Sequence, residues 1–141
     1  TLLLAAGSWK GIVAVTRGGL VPATILAREM EIRHIDTLCI VSYDEQRHGE
    51  VEVIKTPTEA CADKGAGWLL VDDLVDTGAT MKMARELLPE AHVATVYAKP
   101  EGRPFVHTYV HDVAQDAWVF FPWDTDVQYV APLAKAAESE E

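Results

Sequence analysis

The chain has 141 residues, a hydrophobic share of 49% and a formal net charge of −10 at pH 7. This length and composition suit one domain with an ample core, and no linker, repeat or low-complexity block divides it. The negative charge argues against a nucleic-acid surface and against electrostatic attachment to anionic lipid. An anionic ligand would therefore need a local source of positive charge.

The chain opens on a short apolar segment, residues 1–6, with the pattern of a helix end stopped by Gly7. The segment has too few apolar residues for a signal peptide or a membrane span. The two cysteines, Cys39 and Cys61, lie in an apolar run and in a predicted loop, and neither belongs to a metal motif. This usage is typical of reduced cytosolic thiols.

The first strong pattern is a strand, a polar turn and a helix. Residues 11–15 predict a buried strand, and residues 20–30 predict the helix. Between them lie Arg17, Gly18 and Gly19, where two glycines let the backbone approach a ligand and an arginine offers two donors to a phosphate. The same residues also suit a simple turn that needs glycine, so the pattern alone leaves both interpretations open.

The next predicted strand, residues 36–41, ends at Ser42 and Tyr43. Residues 44–67 are polar, and only Val51, Val53 and Ile54 suggest a short hairpin strand. A loop of this length is usually either disordered or functional.

The central pattern is a predicted strand, residues 69–71, that ends in Asp72 and Asp73. Residues 76–80, Asp-Thr-Gly-Ala-Thr, follow and lead into a predicted helix over residues 81–88. A small loop that opens a helix presents free N–H groups, hydroxyls and the positive end of the helix dipole, which together favour a phosphate. The acid pair would repel phosphate, so its natural partners are sugar hydroxyls or Mg²⁺. Simple helix capping by Asp76 or Thr77 would explain those two residues but not the acid pair.

The last third of the chain holds a predicted strand over residues 91–98, followed by Lys99. Residues 102–132 are rich in aromatic residues and proline, which is also the pattern of a small lobe packed over a sheet. The tail over residues 133–141 has a composition typical of disorder. Taken alone, Lys99 is more often a solvated strand end than a ligand contact.

The apolar strand, the acid pair and Asp-Thr-Gly-Ala-Thr together resemble the signature of type I phosphoribosyltransferases, which use 5-phosphoribosyl 1-diphosphate. The runs Thr16–Pro22, Ala98–Pro100 and Gln115–Asp124 narrow the resemblance to the bacterial xanthine-guanine phosphoribosyltransferases. The likeness extends from about Trp9 to Pro132. It implies one α/β domain over residues 1–132, with a mainly parallel sheet flanked by helices and a small hood lobe at residues 102–132.

The resemblance also assigns roles to residues. It implies that residues 44–67 form a mobile loop that closes over the reacting centre, and that the peptide bond joining Arg17 to Gly18 is cis. It implies that Arg17, Gly18 and Arg47 bind the donor's pyrophosphate and that Asp73 binds the metal, Mg²⁺. The residues implied to bind the ribose and its 5-phosphate are Asp72, Asp73, Asp76, Thr77, Gly78, Ala79 and Thr80. The residues implied to bind the purine are Asp76, Lys99, Trp118 and Val119, and Asp76 is also the implied catalytic acid–base group.

The implied activity is transfer of the phosphoribosyl group to N9 of guanine or xanthine, with hypoxanthine weaker, in purine salvage. The implied setting is a cytoplasmic homotetramer, peripheral on the inner membrane, that binds no nucleic acid. Two departures bear on the site: Gly49 aligns with an expected arginine near Arg47, and Phe120 and Phe121 replace expected polar residues. The order of preference among the three bases stays open. Two other interpretations stay open as well: a non-catalytic regulator of the same fold, and an enzyme of this class for another base.

Overall fold

A computed structural model describes residues 2–43 and 50–123. These residues contain six strands and four α-helices, with one 3₁₀ turn before the last strand. The strands are β1 (Gly11–Thr16), β2 (Ile35–Tyr43), β3 (Glu50–Lys55), β4 (Trp68–Val75), β5 (His92–Ala98) and β6 (Thr108–Asp112). The helices are α1 (Leu2–Ala6), α2 (Leu20–Glu29), α3 (Thr58–Ala62) and α4 (Ala79–Leu87), and the 3₁₀ turn is Arg103–Phe105.

The strands form one sheet in the order β3-β2-β1-β4-β5-β6. Every neighbouring pair is parallel except β2 and β3, which are antiparallel. The chain adds β2 and β3 on one side of β1 and then crosses to build β4, β5 and β6 on the other. This reversal places the carboxyl ends of β1 and β4 side by side, the position at which open α/β sheets bind ligands. The predicted fold class, a mainly parallel sheet flanked by helices, is confirmed.

The two central strands are apolar on both faces because each face is covered by a helix. Alternate side chains of β1 and β4 supply each layer of the core. The layer on the α4 side contains Val13, Val15, Leu70, Met81 and Ala84. The layer on the α2 side contains Ile12, Ala14, Leu69, Val71, Ala23 and Ala27. Both central strands are thereby fixed, and so are the loops that leave them.

Several predicted boundaries were wrong by a few residues. The strand predicted over 69–71 extends to Val75, so Asp72 and Asp73 lie within β4 rather than beyond it. The helix predicted over 81–88 begins at Ala79, because Gly78 adopts φ 91° and acts as its N-cap. The strands predicted over 36–41 and 91–98 are Ile35–Tyr43 and His92–Ala98.

Two predicted segments contain more regular structure than expected. The segment 44–67 includes β3, the predicted hairpin strand, which pairs antiparallel with β2, and also α3, which was not predicted; together they pack Val51, Val53 and Ala60 onto the core. The segment 102–132 includes β6, which was not predicted as a strand and joins the main sheet beside β5. Residues 44–49 and 124–141, with Arg47, Gly49 and the predicted disordered tail, lie outside the described residues.

Within the described part of the chain, no helix has the length and apolar character needed to cross a membrane. Cys39 and Cys61 are both free thiols.

Candidate active site

The site lies where the loops after β1 and β4 meet at the carboxyl edge of the sheet. Gly18 follows β1, and an ideal Cβ built on it would stand 2.6 Å from Cγ and Oδ2 of Asp73 and closer still to Oδ1. Gly19 is equally confined, since its Cβ would stand 2.7 Å from the main-chain oxygen of Val15 and nearer to that of Val71. These glycines are therefore required for packing between the two loops. Their predicted role, a close approach of the backbone to a ligand, stays a prediction.

One predicted backbone feature is wrong. The cis peptide bond joins Thr16 to Arg17, one residue before the predicted position between Arg17 and Gly18. Gly18 and Gly19 are fixed instead by the close packing described above. The Arg17 side chain is exposed beside this turn.

The acid pair, Asp72 and Asp73, lies near the end of β4. Asp73 is 8% exposed, its N–H donates to Oδ1 of Asp72 over 2.9 Å, and its Oδ2 accepts the Trp123 indole N–H over 3.2 Å. Burial raises the pKa of Asp72 well above its usual value, and the neighbouring charge of Asp73 raises it further. Two carboxyl groups this close favour a cation or hydroxyl donors as ligands.

Residues 76–80 form the predicted phosphate loop. The loop and the end of β4 line a small cavity of ≈ 110 Å³, bounded by Asp72 and residues 74–81. Gly78 is required there because it combines φ 91° with a position against the Phe105 ring, where a Cβ would stand 2.5 Å from Cε2. The Thr77 hydroxyl accepts the N–H of Ala79 over 3.4 Å at the start of α4. The cavity therefore opens on a helix N-terminus and on threonine hydroxyls, which favours an anion.

Asp76 and Lys99, both predicted purine contacts, are brought together by the structure. Lys99 Nζ donates to Asp76 Oδ2 over 2.9 Å. The lysine side chain is 6% exposed and the aspartate side chain 51% exposed, so the pair joins a buried cation to a half-open carboxylate. The alternative prediction for Lys99, that it is a solvated residue at a strand end without a specific partner, is wrong.

Two residues of the site had no predicted role. Gln115 Nε2 donates to the other oxygen of Asp76, Oδ1, over 2.9 Å. Trp123 contacts Asp73 as described above. Gln115 and Trp123 lie 39 and 50 positions along the chain from the acids they contact, and no spacing rule predicts pairs at that separation.

The predicted purine-pocket residues lie in the segment after Gln115. Trp118 is 78% exposed and Val119 is half-buried. Phe121 is 6% exposed and lies between Tyr97 and Trp123, with ring centroids 5.8 and 4.9 Å away, whereas Phe120 is 63% exposed. The departure at Phe121 is therefore an aromatic anchor that fixes this segment on β5. Arg47, the remaining predicted site residue, lies outside the described residues.

The chain is similar to known proteins both in sequence and in fold. The family model of the phosphoribosyl transferase domain matches residues 3–130. A xanthine-guanine phosphoribosyltransferase from Chromohalobacter salexigens is 56% identical over 133 residues, which are 94% of this chain and 80% of the relative. One from Nitratidesulfovibrio vulgaris strain DP4 is 54% identical over 132 residues, 93% of this chain and 78% of the relative.

Among solved structures, Helicobacter pylori xanthine-guanine-hypoxanthine phosphoribosyltransferase superposes with a TM-score of 0.69 at 21% identity. The superposed region covers 98% of this chain and 86% of the Helicobacter pylori chain. This likeness supports the fold, while the sequence relatives support the family. The chain belongs to the phosphoribosyltransferase family, within which its relatives are xanthine-guanine phosphoribosyltransferases.

Proposed function

We propose that the protein transfers the 5-phosphoribosyl group of 5-phosphoribosyl 1-diphosphate to N9 of guanine or xanthine, and less well to hypoxanthine. The products are the nucleoside monophosphate and pyrophosphate, in purine salvage. One observation carries the proposal: the acid pair, the phosphate loop and the Lys99–Asp76 pair lie along one edge of one sheet. The 56% identity to a xanthine-guanine enzyme supports the choice of base.

The donor is bound from its two ends. Residues 77–80 and the start of α4 hold the 5-phosphate, because the cavity there opens on N–H groups and hydroxyls. Asp72 and Asp73 accept the ribose hydroxyls. Arg17, Gly18 and Arg47 take the pyrophosphate, which is the group that departs. Much of the rate then comes from holding the sugar in line between the departing group and the base.

The acid pair also suits Mg²⁺, with Asp73 as the proposed ligand. Burial raises the pKa of Asp72, the negative charge of Asp73 raises it further, and a divalent cation would offset the repulsion between the two carboxyl groups. Among residues 2–43 and 50–123, no three acidic, histidine or cysteine side chains form a complete metal site, so donor oxygens and water must supply the remaining ligands. When bound, the ion neutralises charge on the departing pyrophosphate. Asp73→Asn should weaken metal-dependent donor binding, and full turnover in excess chelator would contradict the assignment.

The purine is read along the edge that carries its six-position oxygen and N7, which lie side by side. The Lys99 ammonium can only donate, so it suits an oxygen at position six and disfavours the amino group of adenine. Asp76 faces N7 and accepts its proton as N9 attacks the anomeric carbon. Trp118 and Val119 supply carbonyls for the two-position group, and Val119 lies on the ring.

The test is pyrophosphate release from the donor with guanine, xanthine, hypoxanthine and adenine offered in turn. We expect guanine to exceed hypoxanthine and adenine to be poorer than guanine by at least about tenfold. Nucleotide binding without turnover of any base would favour the non-catalytic regulator instead. A base outside this set that is used faster than guanine would place the protein in another branch of the family.

The proposed setting is a cytoplasmic homotetramer. Leu2, Leu4, Leu20, Val21 and Ile25 are exposed apolar residues of α1 and α2, more apolar surface than these helices need in a monomer. Light scattering that shows only monomer at micromolar concentration would contradict an oligomer. Closure of a mobile loop after Tyr43 and a hood over residues 102–132 remain part of the proposal.

A further inference from the structure

The carboxylate of Asp76 is held by two different kinds of donor. Lys99 reaches Oδ2 and Gln115 reaches Oδ1, each over 2.9 Å. The other end of the Gln115 side chain, Oε1, accepts the main-chain N–H of Glu101 over 3.1 Å. Because an N–H donor takes the oxygen end of this amide, its nitrogen end must face Asp76. The direction of the Gln115 bond is thus set by the network around it.

We propose that Gln115 is a positioning residue for Asp76: it holds Oδ1 so that Oδ2 is the oxygen turned toward the purine. This inference rests on the proposed function and deepens it. Asp76 is half exposed, so a carboxylate held by a single donor could rotate into solvent. Two donors on opposite oxygens fix the plane of the group, and a fixed plane is what proton transfer to a chosen oxygen requires.

Lys99 cannot fill this role alone, because the proposed site gives its ammonium a second acceptor, the six-position oxygen of the base. Contact with the base draws Lys99 away from Oδ2 at the moment when Oδ2 must meet N7. The proposed site gives Gln115 no such second acceptor, and the oxygen of its amide is bound to the main chain at Glu101. It therefore keeps Asp76 in place while Lys99 changes partners.

The position of Gln115 in the chain adds a second effect. It precedes Trp118 and Val119 by three and four residues. The bond to Asp76 therefore ties the phosphate loop to the segment proposed to bind the base. One side chain thus sets the distance between the acid–base group and the purine, a distance at which an error of about 1 Å can cost about 10²-fold in rate.

Two variants separate this role from simple loop packing. Gln115→Met removes both hydrogen bonds at similar volume. Gln115→Glu keeps the acceptor for the Glu101 N–H but replaces the donor to Asp76 with a carboxylate. We expect each variant to lower kcat about tenfold or more, with the KM of the ribosyl donor changed less than about twofold. If Gln115 only packs the loop, Gln115→Glu will keep normal turnover and the proposal is overturned.

A double-mutant cycle with Asp76→Ala shows whether Gln115 acts through Asp76. Gln115→Met should lower kcat in the parent protein but change it less than about twofold when Asp76 is absent. An equal loss in both backgrounds would overturn the proposal. Circular dichroism and thermal unfolding show whether each variant folds. If Gln115→Met does not fold, the cycle is measured with Gln115→Glu instead. A parent protein inactive with every base would refute the proposed function, whereas an active parent with equally active Gln115 variants would refute this inference alone.

Discussion

The adjacent glycines after β1 allow a paired test, because they face different neighbours. Gly18 lies against the Asp73 carboxylate, and Gly19 lies against main-chain oxygens of β1 and β4. Neither glycine has a positive φ, and Gly19 has φ −73°, so alanine is tolerated by the backbone at both positions. The effect of each substitution to alanine therefore depends only on what its new methyl group displaces.

In Gly18→Ala the methyl carbon would stand 2.6 Å from Cγ of Asp73, where ordinary contact begins at 3.4 Å. The carboxylate must therefore retreat by at least about 0.8 Å, since its Oδ1 lies closer still, and overpacking of this kind costs about 1–3 kcal/mol. The retreat also strains the bond from the Trp123 indole to Asp73. If Asp73 is a Mg²⁺ ligand as proposed, the Mg²⁺ concentration for half-maximal activity should rise about 10- to 100-fold, the effect of disturbing the support of a metal ligand. The variant should remain folded.

In Gly19→Ala the obstacle is main chain of the two central strands, which cannot turn aside as a side chain can. This variant should lose more stability than Gly18→Ala, by about 1–3 kcal/mol or more. The assays are a Mg²⁺ titration of initial rates and a thermal unfolding curve for each protein. An unchanged Mg²⁺ requirement in Gly18→Ala, or a lower melting temperature for it than for Gly19→Ala, would refute the reasoning.

Three further predictions follow from the site and the core. Asp76→Asn should lower kcat by about 10²-fold with donor affinity nearly intact, and near-normal turnover would refute its acid–base role. Lys99→Met should lower kcat/KM for guanine by about 10- to 100-fold and narrow the preference over adenine, because it removes a charged donor. Lys10→Met, which breaks an exposed lysine–aspartate pair, is the control. Partial burial lowers the pKa of His92 and His107 below 6.5, so the unfolded chain binds more protons in that range and stability falls as pH drops from about 7 to 5. In His107→Asn the new amide oxygen can still accept the Val93 N–H. The melting temperature of this variant should therefore fall less between pH 7 and pH 5 than that of the parent protein. An equal fall in both proteins would contradict the prediction.

The parts of the fold that the sequence predicted best are those dictated by local pattern. The apolar runs at 11–15 and 69–71 identify buried central strands because a strand covered on both faces needs apolar side chains throughout. By contrast, β6 was missed because an edge strand that is partly exposed, Thr108–Asp112, has no continuous apolar run. Its pairing with β5 depends on the neighbouring strand rather than on its own composition.

The candidate site likewise has parts that local sequence predicts and parts that depend on contacts between distant segments. The proposed phosphate loop, residues 76–80, is contiguous, so it could be predicted from the local sequence. The bonds from Gln115 to Asp76 and from Trp123 to Asp73 join distant parts of the chain, so only the folded geometry identifies them. The position of the acid pair within β4 was misjudged because aspartate is uncommon in strands, whereas pairing with β5 through Leu74 and Val75 extends the strand past it.

The arrangement of β1 beside β4 also bears on how the protein is made. Gly11 pairs with Trp68, so one edge of the apolar strand β1 stays open until the chain has been synthesised past β4. Until then β1 can pair only with β2 or with another molecule, and open apolar edges of this kind favour aggregation. Closing so long a loop is also a slow step in folding. Since that step joins the two loops of the site, the ability to bind the donor should emerge abruptly on refolding, together with the central pairing, and not gradually as helices form.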